Sequence, residues 1–427
     1  MIRQYFAILI AKLVWKISTL FNLGAGGTWP GELALAIDPF LLKKLAQKLK
    51  GTIVIAGTNG KTTTSLMVKT ILEGAGFKVI SNSSGANLVN GVVSSLIQIS
   101  SISGSLNGDF AILEADENAL PAILDNLSPD LLVCLNLFRD QLDRYGEVDI
   151  ITEKWQKAIR KLTQKTKLVL NSDDPQIAFL GKNASLKTIY FGLNDKIGQK
   201  KTFEHATDSL FCPSCGSRLK FSAVYYSHLG WWQCLKCDLK RPSPQIFNWD
   251  SPLPGLYNKY NTQAAAASAK VLKIDEAVIK KGLKRVRPAF GRQEEMEYMG
   301  RFIKLMLSKN PAGFNESLRT ALDLKANNLL IVLNDRIPDG RDVSWIWDVD
   351  FEMIPASIHL TLSGDRAYDL GLRIKYSGLK NYLLETDLQK AVKQAVGMQV
   401  AGEKLFILAT YSAMLDIRKI ISGKKIL

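Results

Sequence analysis

Between Tyr5 and Phe21 the chain is apolar except where Lys12 and Lys16, four residues apart, share one helical face and leave Phe6, Leu9, Ile10, Leu13, Ile17 and Phe21 on the rest of the circumference. Two readings follow: a helix packed on the protein body, or one lying on a membrane surface. The lysines leave no run of about 18 uninterrupted apolar residues, which argues against a span. Arg3 precedes the apolar run as in a secretory signal, but no small-residue cleavage site follows. After a glycine-rich loop from Gly24 to Gly31, a helical pattern runs from Pro39 to Leu49. Short apolar runs at Thr52–Ala56, Phe110–Leu113, Leu131–Leu135 and Lys167–Leu170 then alternate with helical or loop segments, the signature of a mostly parallel sheet covered by helices. Residues His205 to Pro244 interrupt this pattern with paired cysteines, aromatics and prolines, as an inserted module would. A helix over Tyr257–Lys273, favoured by Ala264 to Ala267, resumes the first domain, which ends near Gly291. Four further strands, Phe302–Leu307, Asn328–Leu333, Ile358–Leu362 and Leu405–Ala409, describe a second α/β domain. The expected organisation is a helical segment over 1–45, a nucleotide-binding domain over 46–291 with an insert at 205–244, and an α/β domain over 292–427.

Length and composition agree with two or three domains: 427 residues, 47% hydrophobic, enough for separate cores and against wholesale disorder. A formal net charge of +15 admits nucleic acid, an anionic membrane or phosphorylated substrates as partners. Five cysteines, four in two tight pairs, point to a metal site in a reducing, cytoplasmic compartment rather than to disulfides.

The sharpest local signal is Gly57-Thr58-Asn59-Gly60-Lys61-Thr62-Thr63, directly after the first strand. Small residues let backbone N–H groups crowd a phosphate, the following helix aims its positive end there, and Lys61 neutralises charge. Thr62 is the natural Mg²⁺ ligand. The glycine that a full phosphate-loop pattern carries six residues before the lysine is Ile55 here, so the turn is a shortened variant. Glu114, at the end of Phe110–Leu113, can face the phosphates and hold the same ion, with Asp116 and Glu117 as weaker candidates. Cys212-x-x-Cys215, eighteen residues, then Cys234-x-x-Cys237 places four thiolates around one tetrahedral Zn²⁺ with no position open for catalysis. His205 and His228 are not needed as ligands, and Cys134 reads as core. Arg218, Lys220, Lys236, Lys240 and Arg241 with Trp231 and Trp232 form either a nucleic-acid surface or the packing around a metal-stabilised module, and the second reading is preferred.

The phosphate loop resembles that of the Mur ligases and folylpolyglutamate synthases, as do Asn171-Ser172-Asp173-Asp174-Pro175 and Phe290-Gly291-Arg292. The cysteine ribbon is foreign to ordinary Mur ligases, and Asn136-Leu137-Phe138-Arg139-Asp140-Gln141-Leu142-Asp143-Arg144 has Gln141 where many of them carry a histidine. Asp339-Gly340-Arg341-Asp342-Val343-Ser344-Trp345-Ile346-Trp347-Asp348 closely resembles the MurT family. With Thr28-Trp29-Pro30-Gly31, the resemblance covers nearly the whole chain. It implies a Mur ligase-type central ATP-binding domain with an inserted four-cysteine zinc ribbon and a Rossmann-like α/β C-terminal domain. It also implies a ligase subunit that turns the D-glutamate α-carboxylate of lipid II into D-isoglutamine. ATP would supply an acyl phosphate and a GatD-type glutaminase partner the ammonia, with no nucleic acid involved.

Residue by residue, Gly57, Thr58, Asn59, Gly60, Lys61, Thr62, Thr63, Asn261 and Arg292 would bind nucleotide, and Thr62 and Glu114 would hold Mg²⁺. A capping or core-amide role is the lesser alternative for Asn261. Asp342 would serve the glutaminase reaction by orienting the partner's histidine, against a plain helix-capping role. The loop Asn310–Asn315 would line the interdomain site, and Ser84–Asn87 would touch substrate or form a plain turn. Asp348, Asp350 and Glu352 read as a solvated or locally bonded set. The basic segment Lys154–Lys167 and the cluster Lys280, Lys281, Lys284, Arg285 and Arg287 read as solvated helix faces, with a lipid-pyrophosphate or membrane-surface role as the lesser alternative. Contact with the inner face of the membrane stays open. The rival readings are a Mur or folylpolyglutamate-type amino-acid ligase and a nucleic-acid-binding zinc-ribbon ATPase.

Overall fold

The structure, a computed structural model, describes residues 2–21, 28–82, 87–140, 147–182, 184–194, 203–400 and 402–423. Ser84 to Ala86, Gln141 to Arg144 and Gly24 to Gly27 lie outside them. The first half of the chain runs α1 (Ile2–Leu20), α2 (Trp29–Ile37), α3 (Leu41–Ala46), β1 (Gly51–Ala56), α4 (Lys61–Gly74), β2 (Val79–Ser81), α5 (Val89–Ile99), β3 (Phe110–Ala115), α6 (Ala119–Asn126), β4 (Leu131–Cys134), α7 (Val148–Ile159), β5 (Lys167–Asn171), α8 (Pro175–Lys182) and β6 (Lys187–Phe191). The hairpin β7 (Leu219–Tyr226) and β8 (Leu229–Cys234) follows, then α9 (Leu256–Val271) and α10 (Glu276–Arg285). The remainder comprises β9 (Arg292–Tyr298), β10 (Arg301–Leu307), α11 (Pro311–Asp323), β11 (Asn328–Val332), two 3-10 turns, β12 (His359–Ser363), α12 (Ala367–Tyr376), β13 (Leu383–Leu384), α13 (Leu388–Gly397), β14 (Lys404–Ala409) and α14 (Tyr411–Ser422).

Strands β2-β3-β1-β4-β5-β6 form a parallel six-stranded sheet. Every residue of β1 is buried because both faces are covered. Val54 and Ala56 face a core shared with α1, α3, α5 and α6, while Ile53 and Ile55 face one shared with α4, α9 and α10. The second sheet, β13-β12-β11-β14-β10-β9, is parallel except for β9. Strand β9 escapes the apolar pattern because Arg-Gln-Glu-Glu-Met-Glu-Tyr is an edge strand, where charge blocks further pairing.

Several details differ from the sequence reading. The basic helix ends at Ile159, and Lys167 opens β5. Helix α1 packs inward through Ala7, Ile8, Ala11 and Ser18, leaving Phe6, Leu9, Leu13, Ile17 and Phe21 exposed. Of the solvated and locally bonded readings of Asp348, Asp350 and Glu352, bonding describes them better, though most partners are distant in sequence: Asp348 pairs with Arg139 (3.4 Å), Asp350 with His205 (2.5 Å) and Asn315 (3.1 Å), and Glu352, still exposed, with Arg373 (2.9 Å). Lys280, Lys281, Lys284, Arg285 and Arg287 are exposed, as expected of a solvated face.

One buried carboxylate ties the hairpin to the first sheet. Asp173, fully buried, accepts from Arg241 Nε (2.7 Å), Tyr260 Oη (2.7 Å) and Leu193 N (3.0 Å). Burial raises its pKa, with Arg241 the main opposing influence. Arg241→Ala would strand this charge and cost about 3–5 kcal/mol in urea unfolding at neutral pH. Because the raised folded-state pKa favours the protonated carboxyl, the variant's deficit should shrink as pH falls toward about 4 and grow as it rises. An equal deficit at both ends would contradict this.

Candidate active site between the two sheets

The loop after β1 is held open from below. Asn136 Oδ1 accepts from Asn59 N (2.9 Å), its Nδ2 donates to Asn59 O (3.1 Å), and its carbonyl accepts from Thr58 N (3.0 Å). Gly60 takes a positive φ of 91°, and a Cβ there would lie 2.1 Å from Asn261 Oδ1, so only glycine fits. The N-terminus of α4, beginning at Lys61, thus points into a cleft of about 600 Å³. Thr58 to Thr63, Asn261, Glu114 and Arg292 all line it; Gly57 lies just behind. Asn261 also bonds Asn258 (3.1 Å) and accepts from Thr64 (3.4 Å), so the cleft-lining and core-amide readings both describe it.

Charges alternate across this cleft. Thr62 Oγ1 donates to Glu114 Oε2 (2.8 Å). Burial raises the Glu114 pKa against the opposing pull of Arg292, Thr62 and Lys61. Lys61 folds against the carbonyls of Gly57 and Thr58 (3.2 Å to the latter) and lies 3.5 Å from Glu117. Burial alone would raise the Glu117 pKa, yet Lys61 and Lys309 hold it below its ordinary value. Glu117 is thus the carboxylate that faces the Lys61 ammonium. Lys309 pairs with buried Asp140, which with Glu117 keeps its pKa high despite burial. Adjacent hydroxyl and carboxylate oxygens at a helix N-terminus suit a hard cation such as Mg²⁺, and the loop's donors suit a polyphosphate.

The second sheet completes the site. Asn59 and Asn310 exchange reciprocal amide bonds (3.1 and 3.0 Å), while Asn310 Oδ1 also caps α11 by accepting from Gly313 N (2.8 Å). Arg319 reaches Glu204 (2.8 Å), adding another bridge across the same seam. Sequence reasoning placed Asn310 at this seam but missed Asn136, Asp140 and Lys309 as site residues. Only the quoted resemblance segment around Asn136 carried a signal for two of them.

Asp342 is not brought to Lys61 and Glu114. It is exposed and accepts from Ser344 N (2.8 Å) and Oγ (2.9 Å), just before the 3-10 turn Ser344–Asp348. Asn87 lines the cleft, whereas its neighbours Ser84 to Ala86 fall outside the described residues.

Away from the cleft, the Sγ atoms of Cys212, Cys215, Cys234 and Cys237 lie within 4.8 Å of one another, with 3.5 Å between Cys212 and Cys237 and between Cys215 and Cys234. Zn–S bonds of about 2.3 Å require tetrahedral edges of roughly 3.8 Å, so the cluster fits zinc. Neither His205 nor His228 belongs to it; His228 is buried 3.4 Å from Asp174. Trp232 is buried with its Nε1 donating to Ser172 O (3.1 Å), and Arg241 binds Asp173 and lies over Trp231 (5.0 Å). These three residues of the ribbon are thus engaged in packing. Elemental analysis should find one zinc per chain, and chelation should loosen the hairpin and shift tryptophan fluorescence. Unchanged fluorescence with the metal removed would contradict a structural role.

Comparison with known proteins brings these features together. Residues 55–269 match the Mur ligase middle domain, and residues 307–414 match the MurT ligase C-terminal domain. The chain is 33% identical over 418 residues to the lipid II isoglutaminyl synthase (glutamine-hydrolyzing) subunit MurT of Staphylococcus aureus, covering 92% of this chain and 93% of that one. It is likewise 33% identical over 430 residues to the Streptococcus pneumoniae subunit, covering 95% of each. Among solved structures, a pseudomurein peptide ligase type C from Methanothermus fervidus superposes with a TM-score of 0.66 at 23% identity, over 90% of this chain and 80% of that one. MurF from Acinetobacter baumannii gives 0.63 at 16% identity, over 92% and 80%. Matched along nearly its whole length, and with a phosphate loop clasped between two α/β sheets, the chain belongs to the MurT family of Mur ligase-type proteins.

Proposed function

We propose that this chain is the ligase subunit of a lipid II isoglutaminyl synthase, amidating the α-carboxylate of D-glutamate in the stem peptide with ATP and with ammonia from a GatD-type glutaminase. Supporting this most directly is the phosphate loop, carrying the Thr62–Glu114 pair, clasped to the second sheet by Asn59 and Asn310 in a chain that matches MurT subunits throughout.

The chemistry follows from the donors. A carboxylate does not react usefully with ammonia at neutral pH, so its oxygen first attacks the γ-phosphorus of ATP, breaking the bond to ADP and giving an acyl phosphate. Lys61 and Arg292 stabilise negative charge gathering on the transferred group, while Thr62 and Glu114 would hold a magnesium ion, which would supply further positive charge to the phosphates. Lys309, presented by the second sheet and poised by Asp140, adds a cation on the opposite wall. Ammonia then attacks the acyl carbon, phosphate leaves, and the ammonium proton passes to solvent.

The glutaminase half would be completed elsewhere. Asp342 is exposed on the second domain, five residues before Trp347, which is 46% exposed and meets Tyr376, itself 72% exposed, edge to face. Such a surface suits a partner whose histidine Asp342 would orient. In this reading the reaction takes place in the cytoplasm, at the membrane face where a lipid-linked substrate is held.

Lipid II incubated with the chain, Mg-ATP and ammonium should gain one carboxamide by mass spectrometry. Lys61→Ala should slow this about 10²–10³-fold. Asp342→Asn should leave the ammonium reaction intact yet lower the glutamine-driven reaction of the complex by roughly 10³–10⁴-fold. Incorporation of an amino acid in place of ammonia would instead make the chain a Mur-type amino-acid ligase.

A further inference from the structure

Helix α1 turns its small residues inward and its large ones outward. Ala7, Ile8, Ala11 and Ser18 are buried, whereas Ile2, Phe6, Leu9, Leu13, Ile17 and Leu20 recur every three or four positions on the other side, between 39% and 78% exposed. Phe21, Trp29 and Phe40, each about two-thirds exposed, add further apolar surface from the chain that follows. A helix facing water carries the opposite pattern. From Ile2 to Phe21 the charged residues are Arg3, Lys12 and Lys16, with no acid among them.

We propose that α1 is an in-plane anchor for an anionic lipid surface. Its apolar stripe would sink to the boundary of headgroups and acyl chains, and Lys16, exposed at the stripe's edge, would extend its ammonium to lipid phosphates. Tyr5 and Trp29 suit the same boundary, where an aromatic ring with a polar edge is favoured. At 19 residues α1 is about 28 Å long, and among the described residues no helix is long and apolar enough to cross a membrane. A second copy is a poorer occupant, because pairing two stripes would press Lys16 against apolar side chains.

The anchor packs on the helix that leads to the cleft, Lys12 Nζ donating to Gln98 O near the end of α5 (3.3 Å). Helix α2 lies so close to α5 that a Cβ on Gly31 would sit 1.9 Å from Asn90 O, and Gly31 N donates to Ser94 Oγ (2.7 Å). Asn87, just ahead of α5, lines the cleft. A substrate carried by the same bilayer would therefore meet the cleft in a set orientation. That last point alone rests on the proposed lipid-linked substrate.

Flotation of the full chain with phosphatidylglycerol–phosphatidylcholine vesicles tests the anchor. The chain should float with them and much less with phosphatidylcholine alone. Leu9→Glu combined with Leu13→Glu should cut binding at least about tenfold, and Lys16→Glu should weaken only the anionic-lipid component. Both variants should keep the parent's melting temperature and amidate a water-soluble stem-peptide substrate normally. Failure of the parent chain to float, or equal flotation of the double variant, would overturn the anchor. So would a solution dimer that the double variant splits, which would assign the stripe to a second copy. Intact flotation without any amidation would overturn the proposed reaction and leave the anchor standing.

Discussion

A phosphate loop gathers backbone donors and a lysine around a space that must receive an anion, and that concentration of like-signed partial charge has to be held by something else. Here the restraint is amide chemistry. Asn136 binds the Asn59 backbone in both directions, and Asn59 in turn exchanges two bonds with Asn310. The amides pin the loop without adding a charge that would compete with phosphate. Because Asn310 also caps α11, the loop of the first sheet and a helix of the second become one unit.

A similar balance governs the charged groups. Lys61 is balanced by Glu117, Lys309 by Asp140 and Glu117, and Glu114 by Arg292. Each of these charges has an opposite neighbour; Lys61 and Lys309 hold the Glu117 pKa down against burial, whereas burial still raises that of Glu114. Arg292 and Lys309 come from the second domain, so neither domain alone assembles the site. The four-cysteine ribbon contributes from outside, through Arg241 and Trp232 gripping the Asn171–Pro175 turn that also orders Leu137 beside the loop.

What could be read from the chain was local. The phosphate loop, Glu114 at a strand end and the paired cysteines each carry their chemistry within a few residues of one another. The unseen features depend on distant partners. Nothing around Lys309 announces a carboxylate 169 positions earlier, and the acids Asp348 and Asp350 look solvated until Arg139 and His205 are folded against them. Strand β9 was hidden because an edge strand needs charge where a central one needs valine. Helix α1 misleads for the converse reason: its alanines, not its leucines, allow close approach to the body, so the side that looks like core is the one left outside.

The measurement that goes to the centre is isotopic. Stem-peptide substrate carrying ¹⁸O at both oxygens of the α-carboxylate of its D-glutamate would be turned over with Mg-ATP and ammonium, and the released phosphate analysed by mass. Attack of the carboxylate oxygen on the γ-phosphorus, followed by displacement with ammonia, requires one ¹⁸O in each phosphate for every amide formed. Amide formation with unlabelled phosphate would contradict an acyl phosphate in this cleft.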